Sequence, residues 1–313
     1  MEVISMPMWA WILFYALVIV MLYADLKLFG RKGQHEVSIG EALKMTGVWI
    51  IVSLLFCGGI WFYEGSDKAM EFLAGYLIEK SLSMDNLFVF LMLFSFFGVQ
   101  RKYQHEVLFW GIFGALILRS IFIFAGAAMV QRFEWILGIF GVFLIYTGIK
   151  MFSHKDDESV DPSKNIFVKL FKKFFPVTDQ MHEDKFFIIE GGKRLATPLF
   201  IALLVIETTD VAFAVDSIPA VFSVSRDSFI VLTSNIFAIL GLRALYFALA
   251  AIAQYFQYLK YGLGIILSFV GVKMLLELFD IYEVQTSHSL LIIFGVLVLS
   301  MLASVILSKK RMQ

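Results

Sequence analysis

Two short stretches, EKSLSMDNLFVF at 79–90 and ETTDVAFAVDSIPAVF at 207–222, place carboxylates inside strongly apolar sequence. A charged side chain at the centre of a bilayer costs about 2.5–3.5 kcal/mol on insertion scales, so acids in such positions indicate a functional site. Oxygen ligands without thiol or imidazole favour Mn²⁺, Ca²⁺ or Mg²⁺ over Zn²⁺ or Cu²⁺. The candidate metal ligands are Glu79, Asp85, Asn86, Glu207, Asp210, Asp216 and Ser217.

Two arginines, Arg119 and Arg243, lie in the apolar segments that follow these stretches, and each could pair with an acid. One interpretation is that the acids and arginines form structural ion pairs that tie helices together. The two arginines cannot neutralise all the acids, however. The remaining negative charge must be held by protons, by water or by a bound cation, and this favours a functional role for Asp85 and Asp216.

Helix geometry limits which acids of the second stretch can meet. Asp210 and Asp216 are six residues apart, which separates them by about 9 Å and about 120° on a regular helix. Glu207 and Asp210, three residues apart, share a face. Pro219 cannot donate to the carbonyl of Val215, so we expect the helix to kink or open near Asp216 and to free a carbonyl oxygen there.

Composition sets the class of protein. The chain has 313 residues, of which 60% are hydrophobic and 17% charged, with a mean hydropathy of +0.82. These values indicate an all-α polytopic membrane protein rather than a soluble domain. The net charge is zero and no basic stripe is present, which argues against nucleic-acid binding. The single cysteine, Cys57, excludes an internal disulfide and Cys-x-x-Cys metal sites, and nothing suggests a prosthetic group.

Hydropathy predicts about nine transmembrane helices. The first has no basic residue before it and no small-residue cleavage site after it, so we expect a retained span rather than a signal peptide. Asp25, at the inner end of this helix, is predicted to be interfacial. The predicted spans are 8–28, 46–63, 72–97, 107–129, 134–152, 198–224, 229–251, 259–277 and 288–308.

Lysine and arginine residues are distributed unequally between alternate loops. One set of loops, which includes the long polar segment 153–197, carries eighteen of them, and the other set carries only Lys68, Arg132 and Arg226. The positive-inside rule then predicts that the N-terminus lies outside and the C-terminus in the cytoplasm.

The chain contains a repeated pattern of three helices. Each copy has two acids six residues apart followed by Asn or Ser, then Phe-x5-Arg, then Gly-x-Lys-Met. The matching segments are 79–86 with 210–217, 113–119 with 237–243, and 148–151 with 271–274. Each unit has an odd number of helices, so the second copy must enter the membrane from the opposite face. Inverted repeats of this kind are typical of secondary transporters, with the site near the midplane.

This repeat predicts the domain organisation. The linker mixes charges with Pro162, Pro176 and Gly191-Gly192, and the stretch NIFVKLFKKFF within it predicts a short amphipathic helix. The predicted parts are two N-terminal helices with a loop at 1–71, the first repeat at 72–152, a cytoplasmic linker at 153–197, the second repeat at 198–277, and the last helix with its tail at 278–313.

The stretches EKSLSMDNLFVFLMLFSFF, ETTDVAFAVDSIPAVF and LTSNIFAILGLRALYF resemble the TerC family, and its Alx-type members in particular. The resemblance covers nearly the whole chain. It implies an inner-membrane protein of LysE-like transporter architecture, linked to tellurium resistance and the response to alkaline pH, that exports Mn²⁺ or Ca²⁺. It also implies that Asp85 and Asp216 contact the metal, with Glu79, Asn86, Asp210 and Ser217 around them.

The leading functional hypothesis is therefore a secondary exporter of Mn²⁺ that exchanges the ion for protons. An alternative is a membrane scaffold that assists the metalation of exported metalloenzymes, which would require a partner at the short outer loops. An intramembrane aspartyl protease is disfavoured, because no Gly-x-Gly-Asp stretch surrounds either acid and the arginines would keep the acids ionised. We therefore expect no enzymatic activity.

Overall fold

A computed structural model of the chain describes residues 6–30, 38–133, 135–153, 166–178, 180, 182, 185–252, 259–282 and 284–312. Within these ranges the fold is helical apart from one small hairpin. The elements in chain order are α1 Met8–Gly30, α2 Ile39–Glu64, α3 Ser66–Phe96, α4 Arg101–Arg132, α5 Ile136–Ser153, α6 Ile166–Phe174, β1 Phe187–Glu190, β2 Lys193–Ala196, α7 Pro198–Phe222, α8 Ser228–Leu240, α9 Leu242–Ile252, α10 Leu259–Leu278 and α11 Thr286–Met312.

Helices lie over each of the nine segments that hydropathy predicted, and the seventh is divided between α8 and α9. Within the described ranges, six helices are long and apolar enough to cross a membrane, and the bent pair α8–α9 makes up to seven. The helix α3 does not reach this threshold because Glu79, Lys80 and Asp85 interrupt its apolar sequence, and α5 is too short. A protein with several membrane-crossing helices follows from these lengths, while the count of nine crossings stays a prediction.

Local signals explain where several helices begin. Ser38 precedes α2, and its hydroxyl accepts the backbone N–H of Glu41. Asp227 precedes α8, and its carboxylate accepts the N–H groups of Phe229 and Ile230 at 2.9 and 3.4 Å. Pro198 occupies the first turn of α7, where its missing N–H would have had no helical partner.

The helix α7 is continuous from Pro198 to Phe222. The predicted opening near Asp216 is therefore wrong. Pro219 lies in the last turn, and the helix ends three residues later, so the proline marks its end rather than a break in its middle. The break in this part of the fold occurs instead at Gly241, where α8 and α9 meet at a bend of 41°.

The helices α3 and α7 pack against each other and run in opposite directions. At one end of the pair, the Ser225 hydroxyl just after α7 donates to the Glu71 carboxylate near the start of α3, at 2.6 Å. Lys68 at the same end pairs with Glu71 at 2.9 Å and reaches Asp227 at 3.8 Å. The start of α7 consequently lies at the end of the bundle opposite to the start of α3.

Glycines let α5 and α10 approach until their backbones touch. A Cβ atom built on Gly271 would lie 2.5 Å from the carbonyl oxygen of Gly141, and one built on Gly148 would lie 2.6 Å from that of Gly264. Gly141, earlier in α5, contacts Gly271, later in α10, whereas Gly148 contacts the earlier Gly264. The two helices are therefore antiparallel.

The described part of the linker forms a small unit against the first turns of α7. The predicted amphipathic helix is present as α6. The hairpin β1–β2 was not predicted, although Gly191 and Gly192 adopt positive φ angles of 56° and 78° that suit a two-residue turn. Phe200 of α7 contacts Phe171 of α6 at 5.1 Å and Phe187 of β1 at 4.6 Å between ring centroids.

Candidate functional site

A fully buried arginine, Arg119 of α4, is the centre of a polar cluster inside the bundle. Its Nε and Nη2 atoms donate to the two carboxylate oxygens of Asp210 at 3.2 and 3.1 Å. Its Nη1 atom donates to the carboxylate of Glu79, to the Ser217 hydroxyl at 3.2 Å and to the Asn235 side-chain oxygen at 3.3 Å. The planar guanidinium therefore binds side chains from three other helices at once.

Glu79 of α3 is also fully buried, and both of its oxygens have partners besides the arginine. The Ser83 hydroxyl, one helical turn further on, donates to Oε1 at 3.1 Å. The Asn235 side-chain nitrogen donates to Oε2 at 2.8 Å. Asn235 thus bridges the carboxylate and the guanidinium from α8, and the cluster joins α3, α4, α7 and α8.

Helical spacing explains which residues of α7 reach Arg119. Asp210 and Ser217 are seven residues apart, almost two full turns, and so share a face. Asp216 is one residue short of that position. Its side chain and that of Asp85 lie outside the part of the structure that is described, although their backbones lie in α7 and α3. Asn86, next to Asp85, is buried.

A third carboxylate, Glu207, lies one turn before Asp210, as their spacing predicted. It is half-buried, and its Oε2 atom is enclosed without a hydrogen-bond partner. The carboxylate lies against α4 at Gly114, where an added Cβ would be 2.0 Å from Oε1. A side chain at this position would displace the carboxylate from where it lies.

Among the described residues, the cluster has more acidic than basic side chains. Arg119 neutralises one of the carboxylates of Glu79 and Asp210, and Glu207 adds a third acid nearby. Removing one partner of a buried ion pair costs about 3–5 kcal/mol, because the other charge is left without compensation. The cluster is therefore a strong constraint on the packing of four helices.

Of the predicted metal ligands, the structure brings Glu79, Asp210 and Ser217 together, but around Arg119. Among the described residues, no group of three or more histidine, cysteine or acidic side chains is arranged to hold a metal ion. The metal-ligand set stays a prediction, since Asp85 and Asp216 are its central members.

The second deep arginine, Arg243, pairs outside the two acidic stretches. Its Nη2 atom lies 2.8 Å from a carboxylate oxygen of Asp25 and donates to the Asp25 backbone carbonyl at 2.6 Å. Asp25 is buried and lies outside the cluster around Arg119, and its predicted position at the membrane interface stays a prediction. The prediction that each arginine could pair with an acid is confirmed, although Arg119 binds two acids and Arg243 binds one. Arg119 binds Glu79 and Asp210, whereas Arg243 binds an acid of α1.

Asn235 is the site residue that sequence reasoning missed. The signal was present, because the run Thr233-Ser234-Asn235 interrupts an otherwise apolar helix. The hydroxyls of Thr233 and Ser234 bond to carbonyls of their own helix, at 2.7 and 3.1 Å. The longer amide side chain of Asn235 hydrogen-bonds instead to Glu79 of α3 and Arg119 of α4.

Comparison with known proteins agrees with these features. A family model described as integral membrane protein TerC family matches residues 64–312. An uncharacterized membrane protein of Myxococcus xanthus is 47% identical over 96% of this chain and 92% of its own length. The putative membrane-bound redox modulator Alx of Escherichia coli strain K12 is 46% identical over 96% of this chain and 95% of its own length, and that of Photorhabdus laumondii is 45% identical with the same coverage. No solved structure matches.

Proposed function

Because the chain belongs to the TerC family of integral membrane proteins, we propose that it is a secondary transporter that exports divalent cations, with Mn²⁺ as the main substrate and Ca²⁺ as the alternative. The observation that carries this proposal is the buried cluster around Arg119. A four-helix junction with more carboxylates than cations, deep inside an apolar bundle, is expensive to maintain unless it binds a cation in part of a working cycle.

The chemistry of the cluster favours hard cations. Carboxylates, a hydroxyl and an amide oxygen converge there, and oxygen ligands suit Mn²⁺ and Ca²⁺. We assign the primary ligands to Asp85 and Asp216, one residue before Asn86 and Ser217. The carboxylates of Glu79 and Asp210 add negative charge next to these ligands and attract the cation.

Arg119 acts in this proposal as an internal cation. While it holds Glu79 and Asp210, its N–H groups bind both carboxylates and its single charge neutralises one of them without a metal. A divalent cation that enters competes with the guanidinium for these oxygens, and its departure lets the pairs form again. Glu207, with an enclosed oxygen that has no hydrogen-bond partner among the described residues, is the group we assign to carry one counter-transported proton.

Two contacts support the inverted repeat that alternating access requires. The helices α3 and α7, the first of each unit, are antiparallel. The glycine pairs of α5 and α10 follow the same symmetry. In the alignment of the two repeats, Gly148 corresponds to Gly271, and Gly141 corresponds to Gly264. Replacing each glycine of the Gly141–Gly271 contact by its counterpart gives the Gly264–Gly148 contact. This is the relation expected of two repeats related by a two-fold axis in the membrane plane.

The name of the Alx relatives, putative membrane-bound redox modulator, suggests a second aspect of function. This chain has one thiol, Cys57, so it cannot exchange an internal dithiol for a disulfide. We propose that any effect on the redox state of the cell follows indirectly, from the amount of redox-active metal that the transporter leaves in the cytoplasm.

The test is the metal content of cells with and without the protein, measured by mass spectrometry at neutral and alkaline pH. We expect the protein to lower intracellular manganese, and the Asp85→Asn and Asp216→Asn variants to lose this effect while they remain in the membrane. Asp67→Asn, an exposed acid in the first turn of α3, is the matched control and should behave like the unmodified protein.

A fully active Asp216→Asn variant would contradict the assignment of this residue. Unchanged manganese, calcium and magnesium in the presence of the unmodified protein would contradict divalent cation export itself.

A further inference from the structure

The short helix α6 presents an apolar edge that the described part of the protein does not cover. Val168 is buried, and Phe171 packs on Phe200 of α7, so one edge of α6 is fixed to the bundle. A second apolar edge is exposed among the described residues. Its members, with their exposed fractions, are Ile166 at 76%, Leu170 at 52% and Phe174 at 70%.

Three lysines occupy the remaining side of the helix. At about 100° per residue, Ile166, Leu170 and Phe174 form one line along the helix, centred roughly 120° from the edge that contacts α7. Lys169, Lys172 and Lys173 are all exposed and project from the side next to this line and away from the contact with α7. A short helix with an open apolar edge beside a row of lysines has the pattern of a helix that lies in a membrane interface.

The position of α6 along the bundle matches this pattern. The helix α7 has 25 residues, about 37 Å, which exceeds the roughly 30 Å hydrocarbon core of a bilayer. Its first turn therefore lies at the level of the lipid headgroups. Phe171 and Phe187 both contact Phe200, in that first turn, so α6 is held at headgroup depth by the folded linker.

We propose that α6 is an interfacial anchor that seats Ile166, Leu170 and Phe174 in the membrane and binds anionic lipid headgroups through its lysines. The positive charge of the lysines indicates that an anionic membrane surface, rather than another protein, covers the exposed apolar edge. A neutral apolar partner would not need three lysines beside the contact, whereas an anionic leaflet would be attracted by them. The anchor ties the linker between the two repeats to the membrane, and it does not depend on which ion is transported.

The experiment uses the full-length protein in lipid nanodiscs, with Cys57→Ser as a background that has no other thiol. A fluorophore sensitive to polarity is attached at Leu170→Cys on the open apolar edge, or at Lys172→Cys on the lysine edge as the matched position. Two quenchers report the location: iodide in the water and brominated acyl chains in the lipid.

In discs that contain phosphatidylglycerol, we expect the Leu170→Cys label to be quenched several-fold more by brominated lipid, and several-fold less by iodide, than the Lys172→Cys label. Replacing Lys169, Lys172 and Lys173 with glutamine should increase iodide quenching at Leu170→Cys. Replacing Lys309, Lys310 and Arg311 with glutamine, an equal loss of charge in the C-terminal tail, should not.

Three results would overturn the proposal. Strong iodide quenching at Leu170→Cys in anionic discs would show that the edge faces water. Protection from both quenchers would show that protein, such as a second copy of the chain, covers it. Equal behaviour in phosphatidylglycerol and in pure phosphatidylcholine discs would remove the role of anionic headgroups. Circular dichroism and gel filtration of each variant establish that it is folded.

Discussion

At the scale of single residues, Arg119 and Arg243 occupy equivalent places in the repeated pattern but bind acids in different helices. Residue types and spacing predicted that Glu79 and Asp210 belong to one site and that deep arginines pair with acids. Spacing along a helix defines which residues share a face, but it does not define which helix packs on that face. Arg119 forms ion pairs with Glu79 and Asp210, the equivalent acids of the two repeats, whereas Arg243 forms an ion pair with Asp25 of α1.

Asn235 provides the sharpest test of the cluster. Its amide donates to Glu79 and accepts from Arg119, so Asn235→Leu leaves both buried groups with one bond fewer. We expect destabilisation of about 1–3 kcal/mol, measured as a lower thermal midpoint in detergent. Thr233→Val is the matched control, because the Thr233 hydroxyl bonds only within its own helix among the described contacts.

The isosteric variant Asn235→Asp separates charge from shape. It replaces the donor that lies 2.8 Å from Glu79 with a carboxylate oxygen. The two carboxylates can share a proton at low pH, but they repel when both are ionised. The thermal midpoint should therefore fall as pH rises, more steeply than that of the unmodified protein. Equal pH profiles would mean that Asn235 does not contact Glu79.

At the scale of elements, most helices followed from hydropathy, because a membrane-crossing segment must satisfy its own backbone and be apolar. The exceptions have local causes. Pro219 removes the N–H that would bond to the Val215 carbonyl, but α7 ends only three residues later, so the proline coincides with the end of the helix rather than with an opening near Asp216. The hairpin β1–β2 was missed because a pair of four-residue strands gives a weak periodic signal beside the stronger amphipathic pattern of α6.

The glycine contacts between α5 and α10 make a prediction at this scale. Gly271→Ala places a methyl group 2.5 Å from the carbonyl oxygen of Gly141, and Gly148→Ala places one 2.6 Å from that of Gly264. Both contacts are with backbone, which cannot rotate away, so the helices must separate. We expect each variant to lose about 1–3 kcal/mol of stability, the usual cost of overpacking.

The control is Gly47→Ala in α2, where an added Cβ has no atom within 4 Å among the described residues. It should leave the melting midpoint unchanged or raise it slightly, since alanine favours a helix by about 1 kcal/mol over glycine. Similar losses from Gly271→Ala and Gly148→Ala are the result expected of two contacts related by a two-fold axis. A loss confined to one of them would argue against equivalent packing at the two ends of the helix pair.

At the scale of the whole molecule, the repeat that we propose for the helices does not extend to the ion pairs. The antiparallel course of α3 and α7 agrees with the odd number of helices that we counted in each unit. The charges depart from this symmetry, because one arginine serves the interface between the repeats and the other binds the N-terminal helix. Sequence alignment of the repeats could not reveal this, since Asp25 lies outside both of them.

The inverted arrangement predicts opposite membrane sides for the starts of the two repeats. Asp67 lies at the start of α3, and Lys193 lies in β2 just before α7. In intact cells with Cys57→Ser as background, a membrane-impermeant maleimide should label Asp67→Cys and should not label Lys193→Cys until the cells are lysed.

Arg226→Cys, after α7, should behave like Asp67→Cys, because the hydrogen bond between Ser225 and Glu71 holds the two segments at one end of the bundle. The excess of lysine and arginine in the linker is the reason that we expect Lys193 to lie on the cytoplasmic side. If Asp67→Cys and Lys193→Cys were labelled from the same side, the two units would enter the membrane in the same direction. The two glycine contacts could then not be related by a two-fold axis in the membrane plane.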